Sequence, residues 1–162
     1  MNQKLKELLN SQINKELYSA YLYLDIADFF AKEGLDGFEN YYRIQAEEEY
    51  LHASKIIKYL IDNQQEVNLE KIDKPQFTAL NYNDILYVAL NHEKYITESI
   101  NNIYSYAEEI KDYRTRQMLD WFIAEQAEEE SNAEDLITKL KLYDKGQQEL
   151  YLLNQELKQR IE

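Results

Sequence analysis

The 162-residue chain contains no cysteine, one proline, three glycines and only two histidines. Without thiols, neither a disulfide nor a thiolate metal site can form, which fits a reducing, cytoplasmic setting. So few chain breakers, with 44% hydrophobic and 30% charged residues, favour a mostly helical protein. Long apolar runs are also missing. Each is interrupted by charge well short of ~18 residues, so no membrane span is expected. The amino terminus MNQKLKELLN lacks the apolar core of a signal peptide. Positive charge is scarce: 18 Lys and Arg face 31 Asp and Glu, a net charge of −13. That balance disfavours nucleic acid as a partner and attracts cations. The length suits one domain, residues 1–162, with a substantial core.

Apolar periodicity marks four long helices, roughly Lys4–Lys32, Asp36–Asn63, Asp84–Ile110 and Tyr113–Leu142. A shorter fifth, about 147–160, follows Asp144-Lys145-Gly146. Asp36 and Glu39 have the spacing of a capping box at the start of the second helix. Tight connections near Gly34 and Asp112 make two antiparallel hairpins. The segment QQEVNLEKIDKPQFTALNYN between them carries the only proline. At ~3.3 Å per residue it can run the ~40 Å length of a helix. The expected fold is therefore all-α: a four-helix bundle of two antiparallel hairpins joined by a long crossover, plus a short terminal helix.

Helical wheels place a polar residue within each apolar stripe. On the first helix, Leu5, Leu9, Ile13, Ala20, Tyr23, Ala27 and Phe30 flank Glu16. On the second, Phe38, Tyr42, Ala46, Ala53, Ile56 and Leu60 flank Glu49, with His52 about 60° to one side. Leu86, Leu90, Thr97, Ile100 and Tyr104 flank Glu93 on the third. Leu119, Phe122, Ile123, Ala133, Ile137 and Leu140 flank Gln126 on the fourth, with Glu129 offset as His52 is. His92, beside Glu93, reads as a surface histidine.

Glu16 and Glu49 are 33 positions apart, as are Glu93 and Gln126. A shift of 77 positions superposes Glu16 on Glu93, Glu48 on Glu125, Glu49 on Gln126 and His52 on Glu129. The hairpins are pseudo-repeats whose polar sites face each other at one level. Carboxylates buried without partners cost several kcal/mol or protonate, and their mutual repulsion raises their pKa values. The stripes carry no Lys or Arg to compensate, so bound cations are required. Oxygen ligands with one imidazole at i, i+3 spacing suit two iron or manganese ions rather than structural zinc.

The segments NKELYSAYLY, AEEEYLH, NHEKY and WFIAEQAEEE resemble the ferritin family, specifically the haem-free bacterial ferritins, over nearly the whole chain. The resemblance implies a first iron site of Glu16, Glu49 and His52. A second would comprise Glu49, Glu93 and Glu129, with Gln126 close by as a weak ligand or hydrogen-bond donor. Glu49 would bridge the two irons. A third, looser site would draw on Glu48, Glu125, Glu128 and Glu129, a solvated acidic face being the alternative for the first three. Tyr23 corresponds to a tyrosine that either supplies an electron to dioxygen or merely hydrogen-bonds a ligand carboxylate. Bacterioferritins bind haem through a methionine after the bridging Glu. Tyr50 stands at that position, so no haem is expected.

The implied function is a cytoplasmic iron-storage protein with ferroxidase activity. It would oxidise Fe(II) with O2 or H2O2 and collect ferric mineral inside a homo-oligomeric shell of 24 subunits. The shell needs exposed apolar surface, which Tyr18, Tyr21, Leu22 and Phe29, lying off the metal stripe, are expected to supply. Leu150, Leu152 and Leu153 would place the terminal helix at the shell's four-fold axes. Leu119 and Arg116 stand where animal ferritins carry acidic channel residues, so that acidic funnel is absent. A rubrerythrin-type di-iron oxidase, a DNA-coating mini-ferritin and a metal-free interaction bundle are the competing readings.

Overall fold

The computed structural model describes residues 1–79, 81–143 and 147–161, with the backbone alone at Tyr143 and Gln147. It contains α1 (Gln3–Lys32), α2 (Asp36–Asp62), α3 (Tyr82–Glu109), α4 (Tyr113–Tyr143) and α5 (Gln147–Leu157). The expected turn at Asp144-Lys145-Gly146 lies outside the described residues.

Local chemistry explains most boundaries. Asn2 caps α1, its Oδ1 accepting from the N–H groups of Lys4 and Leu5, and Asn81 caps α3 through Asp84 N–H. After α1 the chain reverses at Gly34, whose φ of +73° glycine adopts without the steric cost of a Cβ. Asp112 caps α4 by accepting from Thr115 N–H at 3.1 Å.

The start of α2 departs from the expected capping box. Its cap position is Leu35, which has no side-chain acceptor, and Asp36 is already helical. Asn154 of α5 does the capping instead. Its Oδ1 accepts from Gly37 and Phe38 N–H at 2.8 and 3.3 Å, while its Nδ2 donates to Asp36. Lys158 pairs with the same Asp36 carboxylate at 2.5 Å. A Cβ at residue 37 would lie 1.8 Å from the Asn154 carbonyl oxygen, so glycine permits this approach.

The helices form two hairpins, α1–α2 and α3–α4, with α1 against α3 and α5 against α2 and α4. The crossover runs along α1 as its length allowed. Asn10 near the start of α1 bonds Glu66 and Asn68, and Tyr82 at the far end donates to Glu33.

The apolar interior is split into two blocks. Phe30, Phe38, Tyr42, Leu86, Ile137 and Leu153 belong to one, near Gly34. Leu9, Ile56, Leu60, Ile100, Leu119 and Phe122 belong to the other. Between them every bundle helix buries polar groups: Glu16 on α1, Glu49 and His52 on α2, Glu93 on α3, and Gln126 and Glu129 on α4.

The stripes need some corrections. Ala20, Thr97 and Tyr104 are only half-buried, and Ser19, Ile96 and Ile103 are buried where α1 packs against α3. Ile123 is exposed, at the edge of a cleft between α3 and α4, and Leu136 is buried instead. Leu22 is buried, and Tyr18 and Phe29 pack on the core within the chain. Tyr21 and Leu24 are the large apolar residues of α1 that stay exposed. On α5, Leu153 is likewise internal, whereas Tyr151 and Leu152 face outward.

Asn154→Ala should cost about 1–2 kcal/mol in chemical denaturation, since two helix N–H groups lose their acceptor. Gly37→Ala should release α5, seen as new proteolytic cleavage within residues 147–161.

Candidate metal centre

The polar belt is buried and incompletely hydrogen-bonded. Glu16 is inaccessible to solvent; its Oε1 accepts from Gln12 Nε2 at 2.8 Å, and its Oε2 has no partner. Both oxygens of Glu49 lack a hydrogen-bond partner, as does Nδ1 of His52. His52 Nδ1 lies 3.6 Å from Glu49 Oε2, too far for a hydrogen bond. Buried acceptors without donors each cost about 1–3 kcal/mol, more when charged. Their clustering is what a cation-binding site requires and what apolar packing alone does not explain.

Across the bundle, Glu93 is held from two sides. Tyr23 Oη donates to its Oε1, and Gln126 Nε2 donates to its Oε2 at 3.1 Å. Glu129 Oε2 accepts from Gln45 Nε2 at 2.8 Å. Among the described residues, Glu16, Glu49 and Glu93 form no ion pair with Lys or Arg.

The ionisation states follow from this burial. Desolvation raises Glu16 to about 7, although the Gln12 hydrogen bond opposes it. Glu49 is pushed well above the usual carboxylate range by burial and then by the charges of Glu93, Glu16 and Glu129. Burial also raises Glu93, and burial with the charge of Glu93 takes Glu129 to about 8. Burial lowers His52 to about 4, so its imidazole is neutral and able to ligate near pH 7. Its ring is wedged edge-on against Trp121 and Phe122, which fixes its orientation.

Two trios bring ligand atoms within 4.8 Å of one another among the described residues. Glu16, Glu49 and His52 form one, the set expected from sequence for the first iron. His52, Glu125 and Glu129 form the other. Glu49, Glu93 and Glu129, expected as the second site, face a common space but do not converge so tightly, because Tyr23, Gln126 and Gln45 hold Glu93 and Glu129 aside. Glu48, Glu125, Glu128 and Glu129 line one cleft that opens from the belt. Of these, Glu128 is exposed and Glu48 and Glu125 are half-buried.

Sequence reasoning passed over Gln12, Gln45 and Ser99. Gln12 stands four residues before its acceptor Glu16, so the i, i+4 rule could have found it, whereas Gln45 donates across the bundle to Glu129 and left no such local signal. Ser99 donates to Gln12 Oε1 at 2.5 Å and accepts from Lys15 at 2.6 Å, linking the surface of α1 to Glu16. His92 is not a surface histidine. It bonds Ser19 Oγ at 2.7 Å among the rings of Tyr18, Tyr23 and Tyr95, and burial lowers it to about 4. Glu130 accepts from Thr97 Oγ1 at 2.5 Å, beside Gln126.

Residues 6–143 match the family model of the ferritin-like domain. The chain belongs to the ferritin family. It is 35% identical over 158 residues to a bacterial non-heme ferritin of Campylobacter jejuni, covering 98% of this chain and 95% of that one. A counterpart from Staphylococcus epidermidis is 34% identical over 160 residues, covering 99% and 96%. Among solved structures, the open-pore ferritin of Archaeoglobus fulgidus superposes with a TM-score of 0.96 at 36% identity over 99% of both chains. A humanized archaeal ferritin gives the same score at 37% identity, covering 99% of this chain and 98% of that one.

Raised carboxyl values make the metal-free ferritin fold pH-sensitive in a defined direction. The folded state binds these protons more tightly than the unfolded chain, so their stabilisation is complete below ~4.5 and lost as pH rises through about 7 and about 8. Glu16 alone contributes on the order of 3 kcal/mol to that loss. Denaturation in chelator should show lower stability at pH 8 than at pH 5, with the difference reduced in Glu129→Gln. Divalent metal should abolish it and release protons on binding.

Proposed function

We propose that this ferritin is a cytoplasmic iron-storage ferroxidase whose subunits form a 24-subunit shell around a ferric mineral. The observation that carries this reading is Glu49. Its two carboxylate oxygens are buried at the centre of the belt with no donor, which leaves a bridging cation pair as their natural partner.

In this reading Fe(II) is the substrate. Glu16, Glu49 and the neutral His52 take the first ion, and Glu49, Glu93 and Glu129 take the second. Metal binding displaces the carboxyl protons held near neutral pH. Anionic oxygen ligands stabilise Fe(III) more than Fe(II), which favours electron loss. Two Fe(II) ions give two electrons to one O2, which takes up two protons to become H2O2; with H2O2 as oxidant the product is water. The paired site thereby avoids a free one-electron product. Ferric ions then leave past Glu129 toward Glu125, Glu128 and Glu48, which line the cleft continuous with the belt.

Tyr23 and Gln126 orient Glu93 in this scheme. Burial and the neighbouring carboxylates raise the Tyr23 phenol well above its usual range, so it stays protonated and donates. Among the described residues no helix is long and apolar enough to cross a membrane.

Anaerobic Fe(II) titration should saturate at two to three ions per chain, and repeated aerobic additions should load many more as retained ferric product. Stoichiometry that stops at two under air would favour a di-iron oxidase, and no uptake would favour a metal-free bundle. Glu49→Ala should abolish rapid oxidation while the assembly keeps its size; oxidation at the parent rate would remove the bridging role. Tyr23→Phe should weaken the second Fe(II) about tenfold. A Tyr23→Phe protein with unchanged affinity but slower oxidation would instead mark Tyr23 as an electron donor.

A further inference from the structure

The cleft beside the centre is not simply acidic. It has a volume of about 650 Å³ and is lined by Glu48, Glu125, Glu128, Glu129 and Asp135, with Arg160 among them. Arg160 lies three residues beyond α5 and reaches back to Glu48 of α2, placing Nη2 2.8 Å from Oε2. Its guanidinium lies over the Tyr41 ring, 4.4 Å from the centroid. The pair is largely shielded, with side-chain exposures of 18% and 28%.

The placement of Arg160 is built rather than incidental. Asn40 Nδ2 donates to the carbonyl oxygens of Leu157 and Arg160 at 3.2 and 3.0 Å. Lys158 and Asn154 tie the same end of α5 to Asp36, and Lys139 pairs with Glu156 at 2.6 Å. These contacts hold the backbone where the Arg160 side chain can extend into the cleft. In the same cleft, Glu125 Oε1 lies 3.7 Å from His52 Nε2, and Glu129 belongs to the buried belt within reach of the Arg160 charge. The cleft thus adjoins the centre and is lined by a cation of the chain itself. Burial raises the Glu48 carboxyl, and Arg160 pulls it back down.

We propose that Arg160 is a displaceable counter-cation that occupies the cleft between passages of metal ions, making it a transit position rather than a resting one. This rests on the ferroxidase reading of the adjoining centre. A guanidinium never deprotonates near neutral pH, so its charge is always in place. A partly exposed ion pair is nevertheless weak, about two- to fivefold in an equilibrium constant. A multivalent ion meeting several carboxylates at once displaces it, and the guanidinium returns when the ion moves on. Arg160 therefore lowers the resting affinity of the cleft without closing it.

Terbium(III), which is redox-inert and sensitised by nearby tyrosine, is a suitable probe for the assembled, iron-free protein. Luminescence titration should resolve two equivalents per chain at the centre and a weaker third in the cleft. Arg160→Gln should tighten the third about two- to fivefold and affect the first two less. Arg160→Lys, which keeps the charge, should stay near the parent. Equal third affinity in parent and Arg160→Gln, no third equivalent in either, or a Lys variant as tight as the Gln variant would each overturn the proposal. Loss of the first two equivalents in the parent would instead overturn the reading of the centre.

Discussion

Buried carboxylates that are only partly satisfied by hydrogen-bond donors, and in Glu49 not at all, govern this structure. Glu16, Glu49, Glu93 and Glu129 sit at one depth in a bundle whose other interior groups are overwhelmingly apolar. Each could be satisfied cheaply by a lysine or arginine on a neighbouring helix, and none is provided for Glu16, Glu49 or Glu93 among the described residues. In the proposed reading the belt stays protonated or electrostatically strained until cations enter, so affinity for metal and instability of the metal-free fold share one origin.

The two apolar blocks on either side make such a belt tolerable. Phe30 stacks on Phe38 and Tyr42 on one side, while leucine and isoleucine layers from all four helices fill the other. Their burial fixes helix register, and register delivers the ligands to one level. Glutamines at positions 12, 45 and 126 refine that delivery. As neutral donors they orient single carboxylate oxygens and leave the remaining lone pairs for metal, which a lysine at the same places would neutralise. The fifth helix adds a second layer of control: its Asn154 caps α2, and the residues after it carry a cation to the mouth of the centre.

Much of this was legible in the residues because helical periodicity is strong and the intrusions are regular. The 33-residue spacing of Glu16 with Glu49 and of Glu93 with Gln126 puts each pair at one level only if both hairpins turn midway, at Gly34 and Asp112, and they do. Less legible were features that depend on which flank of a helix is covered. Ile123 belongs to the apolar stripe by angle yet is exposed, and His92, next to Glu93, is half-buried among three tyrosines. A wheel gives direction from one axis but not the position of the neighbouring one. The capping box at Asp36 failed for a similar reason, since Asn154, 118 positions away, satisfies the α2 N-terminus.

By itself the sequence determined the helical class, the two hairpins, the crossover and the four polar intrusions, because these rest on period, chain reach and the cost of burying charge. Only the tertiary structure decided which oxygens are already claimed. Tyr23, Gln126 and Gln45 hold Glu93 and Glu129 aside, while Glu16, Glu49 and His52 converge. It also brought Arg160 to Glu48 across 112 positions. Hydrogen bonds and ion pairs act over a few ångströms, so they are set by how helix axes pack in space and leave no periodic trace along the chain.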